Sequence, residues 1–467
     1  MVYQGKVLFN VVLQMGIKMK KNNELINEAS KPTNSINQGK VQRREILKAA
    51  VAGAALFAGG APAIHAQQKT IRFLNAEPSR DSVKALRVAA AEYERVSKVK
   101  VIIDTVVPDD AYNKLQASIA AGTPYDIGTL AFAGHVFILA DAGKLVPLNN
   151  LVSKHKWGPR ILFPIKGQNY WYPYDYNFCW MYYRKDLYQQ KGLKVPTTWE
   201  QMAENAKALT GDGKFGVAQP LGNNAAAQWM SLGYMWADGV KMLDDNFSLV
   251  LDNPTNKPKV MAYFEFMKKM SPSMPQGMTQ ALFGTVLGQY SGGQVAHAPY
   301  AGRLMEVIED KAPDLVSKTG FFMYPDSAGK GQAVNHGYDG WVVLNTPMKD
   351  ESLKFMEWFT ENQYINFLHS APLHFQPARL DVYDDARWRA HPLVEKHADL
   401  VEFMKGLLTR KDVIIRSVDT EGPRIDSRPG KMFETFAITE GLQNVIYNGM
   451  PASEAVDVMS KKYRTVL

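Results

Sequence analysis

The chain has 467 residues, 46% of them hydrophobic, enough to build the cores of two domains. Its net charge of +8 gathers at the start: of 54 basic and 46 acidic residues, 9 and 3 fall within residues 1–66, leaving 45 against 43 beyond them. That balance gives no argument for nucleic-acid binding, and the single cysteine, Cys179, excludes a disulfide within the chain.

Residues 1–40 are a polar extension, with Met15 and Met19 as alternative starts to Met1. Gln42-Arg43-Arg44-Glu45-Ile46-Leu47-Lys48 then precedes a weakly apolar run from Ala49 to Gly60 and the small residues of Ala61-Pro62-Ala63-Ile64-His65-Ala66. A basic region, a short apolar region and a small-residue end describe a removable export signal. The run is too short and too rich in glycine to span a bilayer as a stable helix. The arginine pair, with Leu47 and Lys48 behind it, is similar to a twin-arginine motif, Gln42 and Ile46 replacing the usual Ser/Thr and Phe; a general-secretion leader is the other reading. Cleavage is expected after Ala66, with Ala63 as second choice. No cysteine follows the leader, which points away from a lipid anchor.

Thr70 to Leu74 reads as a strand, Asp81 to Lys98 as a helix with Val83, Leu86, Ala90 and Tyr93 on one side, and Val99 to Asp104 as a second strand. Asp109-Asp110-Ala111-Tyr112-Asn113-Lys114-Leu115 leads through Ala120-Ala121-Gly122-Thr123-Pro124 to Tyr125-Asp126-Ile127. Ala140-Asp141-Ala142-Gly143-Lys144-Leu145-Val146-Pro147-Leu148 follows. Tyr172-Pro173-Tyr174-Asp175 is an aromatic extended segment feeding the apolar, strand-like Phe178 to Tyr183, which Arg184-Lys185-Asp186 ends. A short helical turn closes at Gly192, and a threonine of Pro196-Thr197-Thr198-Trp199-Glu200 can cap a helix carrying Met202, Ala206 and Leu209. Thr319 to Phe322 reads as a strand, and Leu353, Met356, Phe359 and Ile365 belong to a helix. The C-terminal part is helical, with Met432, Phe436 and Thr439 before Asn448-Gly449, and Pro451 at a helix start before Ala455, Val456 and Met459.

The order and spacing of these pieces resemble the solute-binding proteins of ABC importers, specifically the carbohydrate-binding family that includes maltose-binding protein, over most of the chain. There a Y-P hinge enters a strand ending Y-x-K-D-L, followed by G-x-x-x-P-x-T-W and a helix. Upstream stand D-x-Y-x-x-K-L, A-A-G-x-x-P-D-[IV] and A-x-x-G-x-L-x-P-L. The chain departs at Tyr125, where the family usually has proline, and in a long middle rich in Trp and Met. The resemblance implies an α/β, two-lobed periplasmic-binding-protein fold, type II-like, with discontinuous lobes joined by hinge crossings. Crossings are expected near Tyr172 to Asp175, near Met323-Tyr324-Pro325 and around Ala371 to Pro377. They divide the chain into 1–66, extension and signal; 67–174 plus 325–371, lobe 1; and 175–324 plus 372–467, lobe 2. The implied function is that of a soluble periplasmic monomer, without cofactor or catalysis. It captures a sugar or related polyol and delivers it to an inner-membrane ABC permease, after passage through twin-arginine or general export machinery.

Sugar capture needs flat apolar surface for the C–H face of a ring and charged or amide groups for its hydroxyls. Glu77 and Arg80 follow the first strand, and Phe132 follows the Asp126-Ile127 strand. Tyr174, Asp175 and Asn177 sit at the first crossing, Asn177 where maltose-binding members have a ligand-contacting carboxylate. Tyr300 and Arg303 lie in Ala298-Pro299-Tyr300-Ala301-Gly302-Arg303, Tyr300 matching the family's P-W stacking position, and Trp341 lies in Gly337-Tyr338-Asp339-Gly340-Trp341. Each has a plainer reading. Glu77 and Arg80 can simply charge a helix start, Phe132 can be core, and Tyr174 and Trp341 can be hinge packing. Asp175 can form a salt bridge across the hinge, and Arg303 can pair with Glu306 or Glu309. Trp229 and Trp236, seven apart with Leu232 between them, suit one buried helix face, Trp229 being the better ligand candidate. Asp109-Asp110 read as cap or loop charges.

Two rivals come from other classes. A metal receptor could use Tyr182-Tyr183 as phenolate ligands, but neighbours in a strand face opposite ways. For a periplasmic carbohydrate-active hydrolase, Ser291-Gly292-Gly293 lacks the G-x-S-x-G turn and Gly329-Lys330 lacks phosphate-loop spacing. The leader yields a first prediction. Replacing Arg43 and Arg44 by Lys should strand the precursor in the cytoplasm, and N-terminal sequencing of exported wild-type material should begin near Gln67. Exported protein still carrying residues before Arg43 would refute it.

Overall fold

Two sheets flanked by helices organise residues 68–467, which are those the computed structural model describes. The expected export signal and its cleavage sites lie outside the described residues. In chain order, β1 (Thr70–Asn75), β2 (Lys100–Thr105) and β3 (Ile127–Leu130) pair in parallel with β1 in the middle, joined by the helices Arg80–Ser97 and Pro108–Ala120. Parallel pairing requires such crossovers, and Leu86, Ala89, Ala90 and Tyr93 form the buried face of the first. After β4 (Tyr172–Pro173) and β5 (Asp175–Tyr176), the strands β6 (Trp180–Arg184), β7 (Phe215–Val217), β8 (Val295–Tyr300) and β9 (Thr319–Phe322) build the second sheet, in the order β7-β8-β6-β9. Every residue of β8 is buried, as an inner strand covered on both faces requires. Between β6 and β7, Thr198 caps the helix Trp199–Ala208 by accepting the Gln201 N–H at 3.2 Å.

The chain then makes β10 (Tyr324–Pro325), β11 (Gln332–Asn335), β12 (Gly340–Val343), β13 (Gln376–Pro377) and β14 (Ile414–Arg416). β12 and β4 complete the first sheet by antiparallel pairing, giving the order β2-β1-β3-β12-β4. Each sheet with its helices is one lobe of a two-lobed α/β fold. No helix among the described residues is long and apolar enough to cross a membrane.

Three connectors run between the lobes side by side. In the first, the Tyr174 N–H donates to Asp339 O and the Asn177 N–H to Gly337 O, both at 2.9 Å, which ties it to the second. β5 pairs with β13, which ties it to the third. The second connector differs from the expectation at Met323-Tyr324-Pro325. Tyr324 remains in the second lobe, its ring 4.9 Å from that of Tyr234 and its hydroxyl donating to Met230 O. Pro325 pairs with Gln332 in the β10–β11 hairpin, and the chain enters the first sheet only through His336–Asp339. A hairpin interposed after the strand moved the passage.

The expectation that 372–467 belongs wholly to the second lobe also fails. Ala378 O and the Leu380 N–H bond to Gly158 and Lys156 of the first lobe. The helix Ser427–Glu434 packs across the first-lobe helix Ala133–Asp141, with the Gly134 N–H donating to Asp419 at 2.9 Å. Phe436, at φ 51°, breaks this helix from the next, Ala437–Tyr447, where the sequence suggested continuity. The crossing is so close that a Cβ on Gly134 would lie 2.6 Å from Gly430 Cα and 2.7 Å from Asp419 Cβ. Gly134→Ala should therefore cost about 1–3 kcal/mol in urea unfolding through overpacking, and an unchanged midpoint would show the two helices to be free to part.

Candidate functional site

A cavity of about 550 Å³ opens where the lobes face each other. The first lobe supplies the ends of its parallel strands: Ala76 to Ser79 after β1, Val107 to Asp109 after β2, and Ala131 and Phe132 after β3. Carboxyl ends of parallel strands collect ligand sites because the loops there diverge and leave a crevice. The second lobe supplies Trp229, Leu282 to Thr285, Leu287, Tyr300 at the end of β8, and Arg303. The connectors form the floor with Tyr174, Asn177, Gly337, Asp339 and His374. Gly337 is there for clearance, since a Cβ would come within 2.4 Å of Asn177 Oδ1 and 2.7 Å of Trp229 Nε1.

Apolar walls come from aromatic rings held by other rings. Tyr300 and Phe283 pack against Trp229 at centroid distances of 5.6 and 5.7 Å, and Phe132 lies 4.7 Å from Phe433. Such packing fixes the rings before a ligand arrives.

Arg303 forms the centre of the polar side. Its guanidinium lies 2.7 Å from Glu77 Oε2 and 3.4 Å from Glu306 Oε2, and Glu306 Oε1 accepts the backbone N–H groups of Leu373 and His374. Burial lifts Glu306 to about 7 against the pull of Arg303. On the floor, Asn177 donates to Asp339 Oδ2 at 2.7 Å, while Asp175 accepts the Asp339 N–H at 2.8 Å. Burial raises both carboxyls, Asp339 to about 7 and Asp175 well above the usual range, each also opposed by neighbouring carboxylates. Burial, and then Arg303, hold His374 well below its ordinary value. Its 3.9 Å approach to Asp339 is therefore that of a neutral imidazole and not an ion pair.

Of the residues singled out in the sequence, Glu77, Phe132, Tyr174, Asn177, Trp229, Tyr300 and Arg303 line this cavity. Three do not. Arg80 is 92% exposed beside Asp81 on the outer surface, because the helix has already turned it from the crevice that Glu77 enters. Asp175 is fully buried behind Asp339 and positions it. Trp341 is 1% exposed, packed among Tyr174, Phe359 and Phe367 in the first-lobe core, so it supports Tyr174 from behind. Sequence reading missed Asp109, Phe283, Asp339 and His374 as cavity walls. Asp109 and Asp339 carried a signal, Asp109 in the first turn of the helix that follows β2 and Asp339 immediately before β12. His374 and Phe283 carried none.

Tyr182 and Tyr183 stand away from the cavity: Tyr182 is buried with its hydroxyl donating to Ala301 O, and neither residue borders the opening. Among the described residues, one grouping of three or more His, Cys, Asp or Glu side chains could hold a cation, Asp175, Asp339 and His374, with donor atoms within 4.8 Å of one another.

Residues 88–396 match the family of bacterial extracellular solute-binding proteins, and the chain belongs to that family. A mannitol-binding protein of Pseudomonas aeruginosa is 26% identical over 208 residues, 43% of this chain and 47% of that protein, so the match spans about half of that relative's length. A putative binding protein of Brucella abortus is 26% identical over 300 residues, 60% of this chain and 70% of its own. Among solved structures, an ABC transporter solute-binding protein from Thermotoga lettingae bound with α-D-tagatose aligns with a TM-score of 0.68 at 19% identity, over 85% of this chain and 99% of that one. Another, from Agrobacterium vitis with bound D-mannitol, aligns with a TM-score of 0.64 at 17% identity, over 85% and 98%. These likenesses establish the fold.

The contrast between Trp341 and Tyr300 can be measured. Trp341→Ala should lower stability by about 3–5 kcal/mol, the cost of emptying a core site, whereas Tyr300→Ala, on a cavity wall, should cost clearly less. Equal losses in urea titrations would contradict the placement of Trp341.

Proposed function

We propose that this protein is the periplasmic receptor of an ABC importer, which encloses a sugar or related polyol between its lobes and passes it unchanged to an inner-membrane permease. One observation carries the reading: rings of Tyr300, Trp229 and Phe132 face a polar floor and the Glu77–Arg303 pair across one inter-lobe cavity. Rings accept the C–H face of a sugar while carboxylates and amides take its hydroxyls. Tagatose, ribitol and mannitol in structural neighbours, and mannitol in the name of a relative, support this ligand class. The receptor works as a monomer in the periplasm, after export by twin-arginine or general export machinery.

Closure follows from the distribution of the walls. A ligand shifts an equilibrium only by binding one state better, and walls from both lobes are met together only when closed. Rotation then falls on the three connectors, where Pro173 and Pro377 restrict some torsions and leave neighbours to absorb it.

The buried Asp175–Asp339–His374 group is the feature that favours a cation instead. The internal Asp175 and Asn177 hydrogen bonds to Asp339 already account for its geometry.

A thermal-shift screen of sugars and polyols tests the proposal, since a ligand at a hundred times its dissociation constant adds about 2.7 kcal/mol. The best compound should shrink the radius of gyration in solution scattering and should bind equally after EDTA treatment. Tyr300→Ala and Trp229→Ala should each weaken it by about 1–3 kcal/mol. Turnover of the compound, no response from any, or binding abolished by EDTA would each overturn the reading.

A further inference from the structure

We propose that this cavity selects uncharged polyhydroxylated compounds over counterparts bearing a carboxylate or phosphate, with Asp109 and His374 as the groups that fix the ligand's hydroxyls. The inference rests on the sugar reading above and narrows it.

Two buried polar atoms of the cavity wall lack a hydrogen-bond partner. Glu77 takes the Ser79 N–H and Arg303, while Asn177 and Asp339 serve each other and Asp175. Asp109 Oδ1, by contrast, is buried with no hydrogen-bond partner. His374 Nδ1 is likewise buried without one, in a residue 9% exposed overall, and its Nε2 lies 3.9 Å from Asp339, beyond hydrogen-bonding distance. Buried polar groups are normally satisfied, and those that are not mark a place where something else binds. A carboxylate oxygen asks for a donor. A neutral imidazole both donates and accepts. A row of hydroxyls meets both demands.

Charge decides what else such a compound can carry. Glu77, Asp109 and Asp339 border the cavity, and the one cationic side chain among its lining residues, Arg303, is held between Glu77 and Glu306. Burial, and then Asp110 beside it, lift Asp109 to about 6 against the pull of the backbone N–H groups of Ala226 and Asp109 itself, which leaves it mostly ionised at neutral pH. An entering carboxylate or phosphate would meet acids with no free cation, in surroundings where water screens little. Asp109 stands on the first-lobe wall and His374 on the floor, so the aromatic wall of the second lobe completes the grip.

Titration calorimetry of the exported protein at about pH 7.5 tests this with matched pairs: D-mannitol and D-mannonate, maltose and maltobionate, D-glucose and glucose 6-phosphate. In at least one pair the neutral member should bind, and its anionic partner should bind at least about tenfold more weakly, a difference of about 1.4 kcal/mol. Asp109→Asn should weaken the neutral compound and narrow that gap. His374→Phe should weaken it about tenfold or more, with the melting temperature of the unliganded protein unchanged or raised, because a buried nitrogen without a partner is removed. An anionic member that binds as tightly as its neutral partner overturns the selectivity and leaves the sugar reading standing. Unchanged affinity in both variants, or a fall in melting temperature with affinity intact, overturns the roles given to Asp109 and His374. Silence from all six compounds overturns the sugar reading, and this inference with it.

Discussion

Arg303 holds the site together. It begins a second-lobe helix, reaches Glu77 at the end of the first strand of the other lobe, and shares Glu306 with the backbone of the third connector. One guanidinium thus links both lobes and one of the three passages between them. The side chains of Arg303, Glu77 and Glu306 are 13%, 9% and 12% exposed, so water screens the contacts poorly. Removing one partner of such a group leaves a charge stranded, which is worse than never having buried it. Its geometry also explains why a guanidinium stands here: separate nitrogens of a planar, rigid fork face the two carboxylates, Nη2 towards Glu77 and Nη1 towards Glu306.

The connectors turn that link into a floor. The first and second bond to each other through Tyr174, Asn177, Gly337 and Asp339, and the first and third through β5 and β13. Their backbones are satisfied internally, so Asn177, Asp339 and His374 can face the cavity. A floor of this kind belongs to neither lobe. The helix Ser427–Glu434, crossing onto the first lobe through Gly134 and Gly430, is a further contact that any opening has to retain or break.

The aromatic walls follow another logic. Trp229 and Tyr300 stand edge to face, and Tyr174 leans on Trp341, so each ring touching the cavity is braced by a second ring. Phe433, which braces Phe132, is buried more deeply than the ring it holds, while Trp341 and Tyr174 are buried alike. A receptor of this design carries its specificity on a few polar groups and its area on rings already ordered.

Local pattern in the sequence determined the strands at Thr70, Lys100, Trp180 and Thr319, the Thr198 cap and the family motifs, because period, capping chemistry and turn residues act between near neighbours. It also placed Glu77, Phe132, Asn177 and Tyr300 at strand ends, where this fold gathers its ligand contacts. Tertiary structure decided the rest. Trp341 and Tyr300 look alike in sequence, each an aromatic near a strand end with a glycine within two residues, yet one enters a core and the other a cavity, according to which face the opposite layer covers. Arg80 lies three residues beyond Glu77 and points to solvent, because the helix had begun. Asp109 passed for a cap, and His374 had no local signal at all. Their roles come from segments far apart in the chain meeting at one place, which only packing of the whole molecule can bring about.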